Sequence, residues 1–171
     1  MSAPWSVNVR MSEVPDSGLV RQLQAGASEL EGVRRELDLL ALERLEAEVR
    51  LKPWFDGVEV SAAWSASFAQ SCSVSLERLD QRLSGDFLVH VVPNGSLHAP
   101  TDEQLADIDL DAVDPPDVSE DGTVDIAALV VEHVALEIDP FPRKEGAEFS
   151  QPEGNPELSP FAVLQRLRRE D

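Results

Sequence analysis

Asp107, Asp109 and Asp111 place carboxylates at every second position, the spacing with which an EF-hand loop begins to wrap a calcium ion. The rest of such a loop is missing, because Ala112 stands where the turn glycine is needed and Val118 where the bidentate glutamate is needed. The triad therefore reads first as a solvated acidic face. A small metal-dependent regulator or enzyme using the Asp107 to Asp111 carboxylates is the alternative. Cys72 is the only thiol, and with His90, His98 and His133 it shows no zinc-site spacing. It falls in an alternating, strand-like stretch, where burial raises a thiol's pKa and makes it inert. His90 is out of phase with the apolar positions and reads as exposed, while His133, beside Glu132 on a helix, reads as a surface or partly packed residue. Asn94-Gly95-Ser96 is a tight turn without the glycine pattern of a nucleophile elbow, and no phosphate-binding loop or dinucleotide fingerprint occurs. With no converging nucleophile, base and orienting group, the expectation is a non-enzyme with no catalytic residues, metal or cofactor.

Contact chemistry is better represented. An apolar helix read from Val124 to Ile138 runs into Asp139-Pro140-Phe141-Pro142-Arg143-Lys144. Neither proline has an N–H, and each biases its predecessor out of the helical region, so the helix must stop near Ile138 and an extended strap must come after it. Phe141 is either an anchor for a partner's pocket or a ring folded back on its own sheet. The Phe141-Pro142 bond is a candidate for the cis form.

The charge balance says what kind of partner to expect. Of 171 residues, 14 are basic and 33 acidic, for a net charge of −19, and residues 84–142 hold 14 Asp or Glu with no Lys or Arg. Such a chain repels anionic membranes and polyphosphate and is steered towards basic partners. Its basic clusters, Arg34 with Arg35, Arg143 with Lys144, and Arg166 with Arg168 and Arg169, are small for counterion-driven nucleic-acid binding. A basic protein, such as a ribosomal protein, is the partner expected; DNA and membrane are not, and direct RNA contact stays open. The lone cysteine fits a reducing cytosol. Met1 to Arg10 has no apolar core of a signal peptide, and the longest aliphatic run, Ile126 to Val131, is too short for a span. A cytoplasmic location is expected.

The elements that position these groups follow from periodicity. Trp5, Val7, Val9 and Met11 alternate as a strand over Pro4 to Met11. Ser28, with Glu31 three residues on, predicts a helix to about Leu40, and Leu19 to Leu23 suggests a shorter helix before it. Leu45, Ala47, Val49 and Leu51 alternate with charged residues, Asp56-Gly57 marks a turn, and Val58 to Phe68 alternate again, predicting a hairpin. Trp5, Trp54 and Trp64 read as sheet core, Trp54 at the hairpin tip being the one best placed for exposure. The pattern resumes through Val74 and Leu76 and again through Phe87, Val89 and Val91. Residues 96–123, acidic and without an aromatic, read as a flexible connection, with Ile108, Leu110 and Val113 able to tack it on as an edge strand. Residues 150–158 read as a loop before a final helix, Phe161 to about Arg169, opened by Ser159 and Pro160. The expected fold is α+β in one domain over 1–171: an antiparallel sheet of about four or more strands with packing helices, the acidic connection, and a C-terminal helix, strap and helix.

Four stretches together resemble the YceD family of large ribosomal RNA subunit accumulation proteins, in its alphaproteobacterial branch. They are Gln70-Ser71-Cys72-Ser73-Val74-Ser75-Leu76-Glu77, Asp121-Gly122-Thr123-Val124-Asp125 leading through Leu129 and Glu132 to Leu136, Asp139 to Lys144 with Gly146-Ala147, and Ser159-Pro160-Phe161-Ala162-Val163-Leu164. The resemblance implies a cytosolic, non-enzymatic factor in ribosome biogenesis, needed for large-subunit (23S) rRNA to be processed or to accumulate. It singles out Cys72, Leu76, Glu77, Glu132, Pro140 and Pro142 as family-motif residues. Many relatives carry Cys-x-x-Cys-Leu-Glu where this chain has Cys72-Ser73-Val74-Ser75-Leu76-Glu77, so a role for the pair of cysteines does not transfer. The partner-binding candidates are Asp139, Phe141, Arg143 and Lys144 on the strap and Asp107, Asp109 and Asp111 on the acidic stretch.

Overall fold

The computed structural model describes residues 3–101 and 114–148. In chain order these form β1 (Asn8–Arg10), a 3-10 turn (Met11–Glu13), β2 (Leu19–Gln24), α1 (Ala27–Glu36), β3 (Ala41–Trp54), β4 (Gly57–Ser71), β5 (Arg78–Pro93), β6 (Asp117–Ser119), β7 (Thr123–Asp125) and α2 (Ile126–Glu137). Five strands make one sheet in the order β2-β3-β4-β5-β6, and β1 pairs with β7 in a separate antiparallel ribbon. The fold is α+β. β2 to β5 pair antiparallel, in keeping with the antiparallel sheet expected, but the sheet is mixed, because β6 joins β5 in parallel from Val91↔Asp117 to Pro93↔Ser119. A parallel neighbour needs a crossover of a dozen or more residues, and the chain between Pro93 and Asp117 is long enough to provide it.

The long hairpin is where sequence period and structure agree most closely. β3 and β4 stay in register from Leu45↔Ala66 to Trp54↔Gly57, with one irregularity near the start, between Leu42 and Arg44. Val58, Val60, Ala62, Trp64, Ala66 and Phe68 of β4 all point into the core, where each large side chain contributes roughly 1.5–3 kcal/mol by leaving water. Gly57 is required by the close approach of β5, since a Cβ there would lie 2.1 Å from the Val91 carbonyl oxygen.

α2 covers one face of this sheet with Ile126, Ala127, Val130, Val131 and Val134, all buried. Asp125 caps it, its Oδ1 accepting from the N–H groups of Ala127 and Ala128 at 3.2 and 3.1 Å. The same oxygen accepts from the Val7 N–H at 2.9 Å, which ties the N-terminal segment to the helix start. His133 stacks on Phe87 at 3.8 Å and donates through Nδ1 to the Leu129 carbonyl at 2.8 Å.

Several expectations are corrected. Leu19 to Leu23 is not a helix but lies in β2, because the exposed edge of β3 pairs with it from Leu19↔Leu51 to Gln24↔Glu46. The first strand is confined to Asn8–Arg10. α1 starts after Gly26, whose N–H donates to Glu29 at 2.6 Å, while Glu31 is taken by Arg34 and Arg35. Val74 and Leu76 belong to a turn, and β5 runs unbroken from Arg78. His90 is half-buried, stacked on Trp54 at 4.1 Å. Trp54 itself is half-buried beneath its neighbours, and Phe55 is the aromatic exposed at the tip. Among the described residues no peptide bond is cis, that of Phe141-Pro142 included. No helix among them is long and apolar enough to cross a membrane.

Candidate functional site

The strap is anchored by the turn that joins β4 to β5. Past Ser71 the chain closes on itself, the Cys72 N–H donating to the Glu77 carbonyl at 2.8 Å and the Leu76 N–H to the Cys72 carbonyl at 2.9 Å. Closing so tight a turn forces Leu76 into the left-handed region, at φ 59°, which costs a non-glycine residue roughly 1–2 kcal/mol. Its side chain gains no burial in return, being 78% exposed.

Opposite this turn, α2 ends because Asp139 precedes Pro140 and cannot stay helical. Asp139 then folds the backbone locally, its Oδ1 accepting from the Phe141 N–H at 2.8 Å. Three backbone or amide bonds fasten the strap to the turn. Gln70 Nε2 donates to the Asp139 carbonyl at 3.0 Å, the Ser73 N–H to the Pro142 carbonyl at 2.8 Å, and the Lys144 N–H to Cys72 Sγ at 3.3 Å. A fourth contact is ionic, with Lys144 Nζ 2.9 Å from Glu77 Oε2. The effect is to sort the strap residue by residue. Pro142 is buried, whereas Pro140, Phe141, Arg143 and Lys144 face solvent, Phe141 being 72% exposed. Leu136 at the end of α2 is exposed as well.

Cys72 lies at the centre of this clasp, buried and just beyond β4 rather than within a strand. Burial alone raises a thiol's pKa, as the sequence suggests. Here the hydrogen bonds outweigh it, those from Ser75 most, then those from the Lys144 and Val74 backbone, and the pKa falls to about 6. Glu77 is likewise held below the usual carboxylate range by Lys144 and Ser75. Glu77, which closes the turn with Cys72, is paired with Lys144. No group of three or more metal-ligating side chains occurs among the described residues.

Of the residues singled out by sequence, the clasp brings together Cys72, Leu76, Glu77, Asp139, Pro140, Phe141, Pro142, Arg143 and Lys144. Glu132 is exposed on α2, apart from the strap's bonds. Asp107, Asp109, Asp111, the loop at 150–158 and the C-terminal helix lie outside the described residues. Sequence reasoning missed Gln70 and Ser73 as anchors, because a side-chain amide and a main-chain N–H have no periodic signature. It also passed over Phe55, whose only sign was an aromatic at the first loop position of a two-residue hairpin.

Residues 60–168 match the family model described as large ribosomal RNA subunit accumulation protein YceD. That span begins within β4 and takes in the whole clasp. No curated protein and no solved structure matches the chain.

Proposed function

Because the chain belongs to the YceD family, we propose that it is a non-enzymatic ribosome biogenesis factor of the cytoplasm, supporting the processing or accumulation of large-subunit (23S) rRNA. It docks on a basic ribosomal or assembly partner, with the strap as anchor and the acidic surface, Asp107, Asp109 and Asp111 included, as the steering field. The observation that carries this reading is the sorting of the strap. Four bonds to Gln70, Cys72, Ser73 and Glu77 hold its backbone still, while Phe141 and Arg143 stand free of the core. An exposed aromatic and a cationic residue carried on a backbone already held in place lose less entropy on binding than they would on a free segment, which suits a contact anchor.

The test is the double substitution Phe141→Ala with Arg143→Ala. The melting temperature should stay within about 2 °C of the parent, as exposed positions change stability little. Partner capture and large-subunit rRNA levels in cells should both fall. A variant that melts early, or one that folds and leaves rRNA unchanged, would remove the strap from the proposal. Association should also weaken steeply with added salt, because the steering field is screened over about 10 Å at 0.1 M.

A further inference from the structure

At the far end of the long strands from the clasp, the 3-10 turn, the β3–β4 turn and the Asp121-Gly122 turn enclose an open cleft of about 450 Å³. Its walls include Met11, Phe55, Asp16, Asp56, Asp121 and Arg10. Phe55 occupies the first position of the hairpin loop with φ 51°, where glycine is normally used, and is 70% exposed. The ring is nevertheless fixed. It stacks on His98 at 4.0 Å and 17°, meets Trp54 edge-on at 4.6 Å and 72°, and Trp54 in turn stacks on His90. His90 Nε2 lies 3.4 Å from Glu59, which completes a stacked aromatic column whose outer rings, Phe55 and His98, are exposed.

The carboxylates beside this column differ in how far they are occupied. Asp121 is occupied most, its Oδ1 accepting from the Thr123 N–H and Oγ1 at 3.0 and 2.6 Å and from Ser119 Oγ at 3.3 Å, and the Thr123 bonds above all hold it below its ordinary pKa. Asp56 accepts one bond, from Ser96 Oγ at 2.8 Å. Asp16 makes no hydrogen bond or ion pair with a described residue, and neither does any carboxylate with Arg10. Three carboxylates against one guanidinium leave the cleft at 1 − 3 = −2. Phosphate is repelled from such a site, and the carboxylates do not cluster closely enough to hold a metal ion.

We propose that this cleft receives an arginine side chain from a basic protein segment, the guanidinium lying on the exposed Phe55 ring with Asp16, Asp56 and Asp121 around its edge. Arginine fits better than lysine because its planar, weakly hydrated group stacks on a ring while its N–H fork meets carboxylates. The inference rests on the basic-partner reading above and adds to it a second contact, remote from the strap. β4, with 15 residues between the two ends, separates them by about 50 Å at roughly 3.3 Å per residue.

The test is calorimetric titration of the full chain, at low salt, with a short peptide of alternating arginine and glycine and with its lysine counterpart. The arginine peptide should bind about fivefold more tightly than the lysine one. Phe55→Leu, which keeps an apolar side chain but removes the ring, should abolish that preference, and Asp16→Asn should weaken both peptides by about threefold. The Phe141→Ala, Arg143→Ala double variant should bind both peptides as the parent does. Equal affinity for the two peptides, or an unchanged preference in Phe55→Leu, would reduce the cleft to diffuse electrostatics and overturn the proposal. So would a single-stranded RNA oligonucleotide whose binding is lost in Phe55→Leu. If the peptide results hold while the strap variant leaves cellular rRNA untouched, the strap drops out of the ribosome reading and the arginine site stands; the reverse pattern sinks the site alone.

Discussion

The two ends of the β3–β4–β5 sheet solve one problem with different materials. Each end turns the chain through a left-handed non-glycine residue, Leu76 at φ 59° and Phe55 at φ 51°, and each leaves that residue exposed. At the clasp end the strain is held by hydrogen bonds: Cys72 to Glu77, Ser73 to Pro142, and Lys144 to the Cys72 sulfur. At the tip it is held by rings, Phe55 on His98 and Trp54 on His90. Polar fastening fixes a backbone and leaves side chains free to point outward, while aromatic stacking fixes the displayed side chain itself. The clasp is therefore a frame for an adjoining strap, and the tip is a platform.

The largest way to break this contrast is through the glycines at the two ends. A Cβ on Gly57 would lie 2.1 Å from the Val91 oxygen and 2.9 Å from the Val92 Cα, both backbone atoms that cannot swing aside. Gly57→Ala should cost about 3 kcal/mol or more, since β4 and β5 must part. Gly146, just beyond the strap at φ 74°, has nothing within 4 Å of where a Cβ would sit, so Gly146→Ala should cost only about 1 kcal/mol of conformational strain. Urea unfolding of the two variants checks the pair. Equal costs would mean that the tip is no more tightly built than the strap.

A second test is specific to the polar end. Cys72 has a thiol pKa near 6 in the folded protein, against about 8.5 in an unfolded chain. A depressed folded pKa gives stability that is fully present above the unfolded value and is lost as pH falls through the folded one. Unfolding free energy should therefore rise with pH between about 6 and 8.5. Cys72→Ser keeps an acceptor for the Ser75 and Lys144 N–H groups but cannot ionise in this range, so its slope there should be flatter. A slope unchanged by the substitution would show that the thiol stays protonated and that burial, not hydrogen bonding, decides its state.

How much of this could be read from the chain depends on how far away each partner lies. The hairpin and α2 were legible because Val58 to Phe68 and Val124 to Ile138 carry their own periods, with Asp139-Pro140 marking the helix end; the turn read at Asp56-Gly57 lies one residue earlier, at Phe55-Asp56, with Gly57 paired to Trp54. β2 was misread because Leu19 to Leu23 takes its conformation from β3, some 30 residues on. The turn at Cys72 was misread for a similar reason: part of its hydrogen bonding is supplied by Pro142 and Lys144, about 70 residues away. The break of the helix before the strap was legible in Asp139-Pro140, yet which strap residues would be buried was not. That sorting depends on bonds to Gln70, Cys72 and Ser73, which lie about 70 residues earlier in the chain.

The finest test compares the strained residues directly. Replacing Leu76 by Gly relieves a left-handed cost of about 1–2 kcal/mol and adds about 0.5–1 kcal/mol of unfolded-state entropy. With an exposed side chain that packs on little, the net should lie between neutral and about 1.5 kcal/mol more stable. Phe55→Gly has the same backbone terms but forfeits the stacks on His98 and Trp54, about 0.5–1.5 kcal/mol, and should come out less stable than Leu76→Gly by about that amount. Thermal melts of both variants measure the gap. A Leu76→Gly that destabilises by as much as Phe55→Gly would show that Leu76 packs against the strap after all. A stabilised one would mean that the fold carries the strain at Leu76 without a return in packing, which favours a contact role for the exposed leucine at the clasp.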